Sequence, residues 1–319
     1  MEFWQIILII IAALALIALI MLITAYVCFR MCFYVSEKER RAYREDPYPI
    51  PVGEIYEPYR DFLIEWIDKL ESLPHDDVEI KSFDGLTLRG KYYEYAPDAP
   101  MEILFHGYRG SAKRDLCGGV ARCFRLGHSV LIVDHRASGE SEGNVITFGA
   151  YESRDAVDWA KYAAARFGKE RKIIIGGVSM GGATVMLTAA KELPENVIGG
   201  VADCGYTSAE EIIKKVIREM KLPPAVFYPF VKLGARLFGH FDINEASPIE
   251  AMKKCKIPVI FLHGDKDDFV PHEMSVKAYE ACICEKRMVT IEGAGHGTAY
   301  THNKELYLSS LDSFFKPYL

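Results

Sequence analysis

The sequence predicts an α/β fold, a mostly parallel sheet with helices on both faces, carried behind one N-terminal helix long enough to span a membrane. Two observations predict it. Short apolar runs of strand length alternate with longer amphipathic stretches along most of the chain, the pattern of a sheet buried on both sides. Residues 3–29 contain no charged residue, no Gly and no Pro.

The N-terminal segment comes first. A helix of that length rises roughly 40 Å, enough to cross a hydrocarbon core of about 30 Å. A soluble core helix is rarely apolar on every side for so long. A cleaved signal peptide expects a basic start and a small-residue cleavage site, whereas this chain starts Met1-Glu2-Phe3 and no A-x-A site closes the run. Residues 1–30 therefore read as a retained anchor. Arg30, Lys38, Arg40, Arg41 and Arg44 all lie on its C-terminal side, and the positive-inside bias then places the remainder of the chain in the cytoplasm.

Residues 31–75 read as a juxtamembrane linker followed by an amphipathic helix. Pro47, Pro49, Pro51 and Pro58 mark a stiff connector. Phe62, Leu63, Trp66, Ile67 and Leu70 then recur at helical spacing. Residues 76–319 form the sheet domain. It opens with a hairpin, residues 78–83 and 86–95 around Asp84-Gly85. Strands are predicted at 103–105, 130–133, 173–175, 198–202, 258–262 and 288–291. The helices between and after them fall at 112–126, 150–167, 182–192, 272–281 and 304–315. Residues 208–247 break this rhythm with an apolar helical stretch interrupted at Pro223-Pro224, which predicts a small helical cap inserted into the domain.

Composition narrows the function. Half of the 319 residues are apolar and 26% are charged, with a net charge of −6. That is globular composition with enough apolar material for a sizeable core. With no long basic stretch, nucleic acid is excluded as a partner. The eight cysteines, at 28, 32, 117, 123, 204, 255, 282 and 284, show no paired zinc spacing and read as reduced thiols, several of them buried.

The chemistry sits at three loops. Gly177-Val178-Ser179-Met180-Gly181-Gly182 follows a predicted strand and opens a helix, the context of a nucleophile elbow. Small neighbours let the chain reverse sharply and thrust Ser179 above the sheet. The Met180 amide, at the start of the helix, can donate to a developing oxyanion. A serine hydroxyl needs an adjacent base, and the base needs an orienting acid. The segment His263-Gly264-Asp265-Lys266-Asp267-Asp268 leaves one later strand, and Gly293-Ala294-Gly295-His296-Gly297 leaves the last. Asp267 is the favoured acid, with Asp265 and Asp268 as rivals that suit turns or the surface. His296 is the favoured base, while His106 and His263, each before a Gly at a strand end, shape loops. The loop Phe105-His106-Gly107-Tyr108-Arg109-Gly110 supplies a second oxyanion donor, the Tyr108 amide.

Together these residues resemble the α/β-hydrolase superfamily from about residue 76 to 319. The nearest subgroup is the membrane-anchored BEM46-like serine hydrolases, which are similar to the catalytic domains of prolyl-oligopeptidase relatives. The segment from Asp134 to Gly143, DHRASGESEG, looks like the family's D-x-R-G-x-G-x-S-x-G loop, with Ala137 where Gly is usual. The resemblance implies acyl transfer to water through an acyl-enzyme, with Ser179, His296 and Asp267 as triad, Tyr108 and Met180 as oxyanion hole, and no metal or organic cofactor. The expected partner is a small-molecule acyl substrate. A carboxylic ester or thioester is the favoured substrate. A peptidase and a non-catalytic, membrane-tethered binding module are the alternatives.

Overall fold

The computed structural model describes residues 2–319. In chain order the elements are α1 (Phe3–Cys32), α2 (Glu37–Glu45), α3 (Arg60–Ser72), β1 (Asp76–Lys81), β2 (Thr87–Tyr93), β3 (Met101–Phe105), α4 (Ala112–Arg125), β4 (Ser129–Val133), α5 (Glu152–Phe167), β5 (Ile173–Val178), α6 (Met180–Thr188) and β6 (Val197–Asp203). There follow α7 (Ala209–Glu219), α8 (Pro224–Phe238), α9 (Pro248–Met252), β7 (Val259–Gly264), α10 (His272–Ala281), β8 (Lys286–Ile291), α11 (Ala299–His302) and α12 (Lys304–Phe315).

One eight-stranded sheet has the order β1-β2-β4-β3-β5-β6-β7-β8. The leading hairpin is antiparallel, β2 meets β4 antiparallel, and every pair from β4 onward is parallel. This is the mostly parallel sheet, with a leading antiparallel hairpin, that the alternating pattern predicts. The strands are aliphatic because both faces are covered: β3 and β4 are buried at every position. Helix starts are marked by polar caps. Ser111 accepts from Arg114 N ahead of α4, and Ser208 accepts from Glu211 N ahead of α7. Because β3, β5, β7 and β8 run parallel, the loops that leave their C-terminal ends converge at one edge of the sheet, where ligands bind in such folds.

Two features lie outside that frame. Helix α1 is apolar enough to cross a membrane, with a mean hydropathy of 3.6 over its best window, and that window is unburied. Its C-terminal end is docked, however. Ala25 and Phe29 are buried, as are Phe33 and Val35 just beyond it, and the ring of Phe33 packs edge-on against Phe148 and Phe241. Burying each such phenyl contributes about 2 kcal/mol. The helix rests on α8, where Gly234 permits the approach: a Cβ there would fall 2.5 Å from the Ala25 carbonyl oxygen. Helix α2 is docked as well, through Arg40 Nη1 donating to Ser141 O at 2.7 Å. The segment following α1 is thus bound to the sheet domain rather than trailing from it.

The second feature is the inserted helical segment. Helices α7 and α8 do form between β6 and β7, and α8 serves as the seat of α1. They reach the functional edge only at its rim, where Lys215 Nζ lies 5.7 Å from the Phe269 ring centroid. The wall over that edge comes instead from residues 51–56 of the proline-rich connector.

Candidate active site

Ser179 sits between β5 and α6 with φ 57° and ψ −116°, a left-handed backbone that costs a non-glycine residue about 1–3 kcal/mol. The turn closes only because its neighbours lack side chains. A Cβ at Gly181 would stand 2.0 Å from the Phe105 carbonyl oxygen. Ser179 N donates to Asp203 O at 2.8 Å, which ties the elbow to the end of β6.

Three side chains predicted from separate stretches of sequence meet here. Ser179 Oγ lies 2.9 Å from His296 Nε2, and His296 Nδ1 lies 2.7 Å from Asp267 Oδ2. An ionised carboxylate only accepts, so Nδ1 carries the proton and Nε2 is free to accept from the serine hydroxyl. The Asp267 side chain is fully buried. Its other oxygen, Oδ1, accepts from Phe269 N at 3.0 Å and Val270 N at 2.8 Å. Burial pushes this carboxyl upward, but hydrogen bonds from His263 and His296 and the attraction of both rings outweigh it and hold it at about 2. Its rivals sit elsewhere. Asp265 accepts from Gly293 N at 2.7 Å and braces that turn, while Asp268 is exposed at the rim.

Sequence reasoning gave His263 a loop-shaping part only. The ring does fasten the loop, with Nε2 2.9 Å from Val270 O, but it also lies 3.0 Å from Asp267 Oδ2. Both partners are acceptors, so Nε2 is protonated, and Nδ1 faces Ser275 Oγ at 2.6 Å. Nothing in the spacing of His263 and Asp267 announces this; the contact depends on how the loop after β7 curls back. His106 keeps the loop-shaping part predicted for it, with Nδ1 2.7 Å from Gly107 O and Nε2 accepting from His135 N at 3.0 Å.

The loop after β3 lies directly over the nucleophile. A Cβ at Gly107 would stand 3.5 Å from Ser179 Cβ. Gly107 N donates to Asp115 Oδ2 at 3.0 Å and Arg114 Nη1 donates to Arg109 O at 3.1 Å, so α4 braces both ends of this loop. Among the described residues neither the Tyr108 amide nor the Met180 amide donates to a protein acceptor, which leaves both available to a developing oxyanion.

A cavity of roughly 500 Å³ opens at Ser179 and His296, walled by Val52, Ile55, Tyr56 and Phe269. Among the described residues, Cys204, Asp267 and His296 form one group of potential metal-ligating atoms within 4.8 Å of one another. Asp267 and His296 are already engaged with each other and with Ser179. Burial raises the Cys204 thiol well above its ordinary value, which disfavours the thiolate a metal requires.

A family model described as the alpha/beta hydrolase fold matches residues 103–244. The chain is 28% identical over 250 residues to the YqkD protein of Bacillus subtilis, covering 77% of this chain and 81% of that protein. It is 25% identical over 223 residues to the bem46 protein of Schizosaccharomyces pombe, covering 68% of each. Among solved structures, the Pyrococcus furiosus esterase Pf2001 matches with a TM-score of 0.62 and 24% identity, over 78% of this chain and 94% of that one.

Proposed function

We propose that this chain, a BEM46-like α/β hydrolase, is a membrane-anchored serine hydrolase that cleaves carboxylic esters or thioesters through an acyl-enzyme. The observation that carries this reading is the continuous hydrogen-bonded chain from Ser179 Oγ through His296 to Asp267.

In this mechanism Ser179 Oγ attacks the acyl carbon while His296 Nε2 takes the hydroxyl proton. The carbonyl oxygen becomes an oxyanion and is met by the Tyr108 and Met180 amides, the latter reinforced by the N-terminus of α6. Asp267 holds the imidazole in its Nδ1–H tautomer and stabilises the imidazolium that forms. His296 then returns the proton to the departing alkoxide or thiolate. Water, activated by the same imidazole, attacks the acyl-enzyme and releases the acid and free Ser179.

The membrane part of the proposal rests on α1. Its residues up to about 24 stand clear of the domain, a length of roughly 33 Å at 1.5 Å per residue, enough for a hydrocarbon core of about 30 Å. The basic residues Arg30, Lys38, Arg40, Arg41 and Arg44 favour a cytoplasmic position for the hydrolase domain.

Labelling with a fluorophosphonate probe tests the reading. The detergent-solubilised chain should label at Ser179 and hydrolyse short acyl esters, and Ser179→Ala should abolish both. A folded wild-type chain that neither labels nor turns over an ester would leave the binding-module alternative standing. Turnover of aminoacyl amides in preference to esters would replace the esterase reading by the peptidase one.

A further inference from the structure

The structure assigns to Arg109, and through it to the last turn of α1, the positioning of the oxyanion loop. The inference rests on the serine-hydrolase reading of the site and extends it to residues that touch no substrate.

A helix ends with four carbonyl groups that have no intrahelical partner, and the negative end of its dipole lies there. In α1 the Phe29 carbonyl is taken by the amides of Phe33 and Tyr34. The next partners come from the loop over the nucleophile. Tyr108 Oη donates to Cys32 O at 2.8 Å, and Arg109 Nη2 donates to Met31 O at 3.2 Å and to Tyr34 O at 2.9 Å. Arg109 also donates through Nε to Tyr108 Oη at 2.9 Å and through Nη1 to Glu39 Oε1 on α2 at 2.8 Å. The guanidinium therefore spends its donors on the end of α1, the start of α2 and the tyrosine beside it. A cation at a helix C-terminus is the favourable sign.

The arrangement is a two-sided clamp. Helix α4 holds Gly107 N and Arg109 O, as described above. Tyr108, whose amide is the proposed oxyanion donor, lies between those two points; its ring packs against Phe148, 5.0 Å between centroids, and its hydroxyl is bonded on the α1 side, by Arg109 and Cys32 O. Arg109 adopts φ 51°, a left-handed backbone that needs support from its surroundings; its side-chain contacts with residues 31–39 supply that support. Helix α1 in turn is fixed to the domain by its seat on Gly234. A displacement of the helix end would be transmitted through two hydrogen bonds to the amide that receives the oxyanion. The N-terminal helix is thus part of the catalytic scaffold as well as an anchor.

The test uses the full chain in detergent micelles, with kcat and KM for a short-chain p-nitrophenyl ester and the inhibition constant of an alkyl boronic acid, which mimics the tetrahedral intermediate. Tyr108→Phe and Arg109→Ala should each lower kcat about tenfold to a hundredfold, less than outright loss of an oxyanion donor. KM should stay within about twofold and boronate affinity should fall in parallel with kcat. Arg109→Lys, which keeps the charge but loses the fork, should lie between Arg109→Ala and wild type. Gly234→Ala, which pushes on α1 at Ala25 and Phe29, should lower kcat and boronate affinity together by about threefold to tenfold. Folded Tyr108→Phe and Arg109→Lys chains with wild-type kcat and boronate affinity, differing only in melting temperature, would overturn the inference and leave a plain helix cap. A wild-type chain with no Ser179-dependent turnover or labelling would remove the reading beneath it, and is told apart because every variant would then be equally silent.

Discussion

His263 and Asp267 are joined at 3.0 Å inside the protein, so the carboxylate that faces the proposed base is shared between two imidazoles. His296 and His263 approach the same oxygen, Oδ2, while two backbone amides take Oδ1. With every lone pair directed, the carboxylate has one orientation available to it. That is what an orienting acid requires, because the imidazole it holds must point Nε2 at Ser179 and nowhere else.

Asp267→Asn should therefore keep the fold and lose about four powers of ten in kcat, since an amide can offer an N–H where the base needs an acceptor and favours the wrong tautomer. His263→Phe keeps the ring shape but removes the second imidazole. It should lower kcat by about tenfold with KM unchanged and destabilise the chain by about 1–3 kcal/mol, because Ser275 and Val270 lose a buried partner. Steady-state ester hydrolysis and chemical denaturation of both variants measure this. Equal losses of kcat in the two would mean that His263 does more than hold the acid.

The acid limb of stability follows from the same carboxylate. Asp267 is held at about 2 and Glu102 at about 2, both below their ordinary values. For Glu102, burial pushes upward and is outweighed by the charge of Arg122 and by His128, whose Nδ1 lies 2.9 Å away. A carboxyl depressed in the folded state contributes stability that is complete above its unfolded value, near pH 4, and is lost as the pH falls through the folded value, near 2. Asp267 accounts for about 2 kcal/mol at neutral pH and Glu102 for about 3 kcal/mol. Denaturation midpoints should therefore fall steeply between pH 4 and pH 2, and Asp267→Asn should flatten that fall. Glu102→Gln should do the same and in addition cost about 3–5 kcal/mol at pH 7, because it strands Arg122 in the core. A Glu102→Gln chain as stable as wild type at pH 7 would show that the pair carries no such penalty.

These two carboxylates differ in how visible they were. Asp267 could be singled out because its loop follows a strand and precedes the histidine in chain order, so topology alone brings both to one edge. Glu102 sits in Met101-Glu102-Ile103-Leu104-Phe105, a strand that reads as apolar, and its partners lie on α4 and just beyond it. No local period marks such a pair. The strands, the long helices and the elbow were legible because each depends on short-range pattern: a short apolar run, period 3.6, or the need for Gly beside a reversing Ser179. Ala137 illustrates the same logic, since its φ of 59° explains why glycine is usual at that place in the family loop. The docking of α1 onto α8, the contacts of Tyr108 and Arg109 with its end, and the placement of residues 51–56 over Ser179 were not legible. Each joins segments dozens of residues apart through side chains that a linear reading assigns to solvent or to a linker.

The strained elbow makes a prediction of opposite sign to ordinary helix and strand positions. At most sites glycine is about 0.5–1 kcal/mol less stable than alanine. At φ 57° the order should invert, so that Ser179→Gly is about 1–2 kcal/mol more stable than Ser179→Ala. Both variants lack the hydroxyl and both should be inactive, so the difference isolates the backbone. Paired denaturation curves decide it. Alanine matching or exceeding glycine would mean that the turn relaxes once the serine is gone.

The last prediction concerns selectivity. Residues 51–56 come from the connector yet wall the cavity at Ser179, and Ile55 packs over the turn that carries His296, within 3.6 Å of where a Gly295 Cβ would be. Phe269 lines the same cavity, its ring centroid 5.1 Å from that of His296. An acyl chain bound to Ser179 would pass between these apolar side chains, so its permitted length depends on their bulk. Each methylene that fits contributes about 1–3 kcal/mol to discrimination. Ile55→Trp should therefore lower kcat/KM for octanoyl and longer esters by at least about tenfold while leaving acetyl and butyryl esters within about twofold, because short chains end before the obstruction. A p-nitrophenyl ester series from two to twelve carbons measures it. A uniform loss across the series would place the acyl chain elsewhere and make residues 51–56 a structural brace for the His296 turn instead of a selectivity wall.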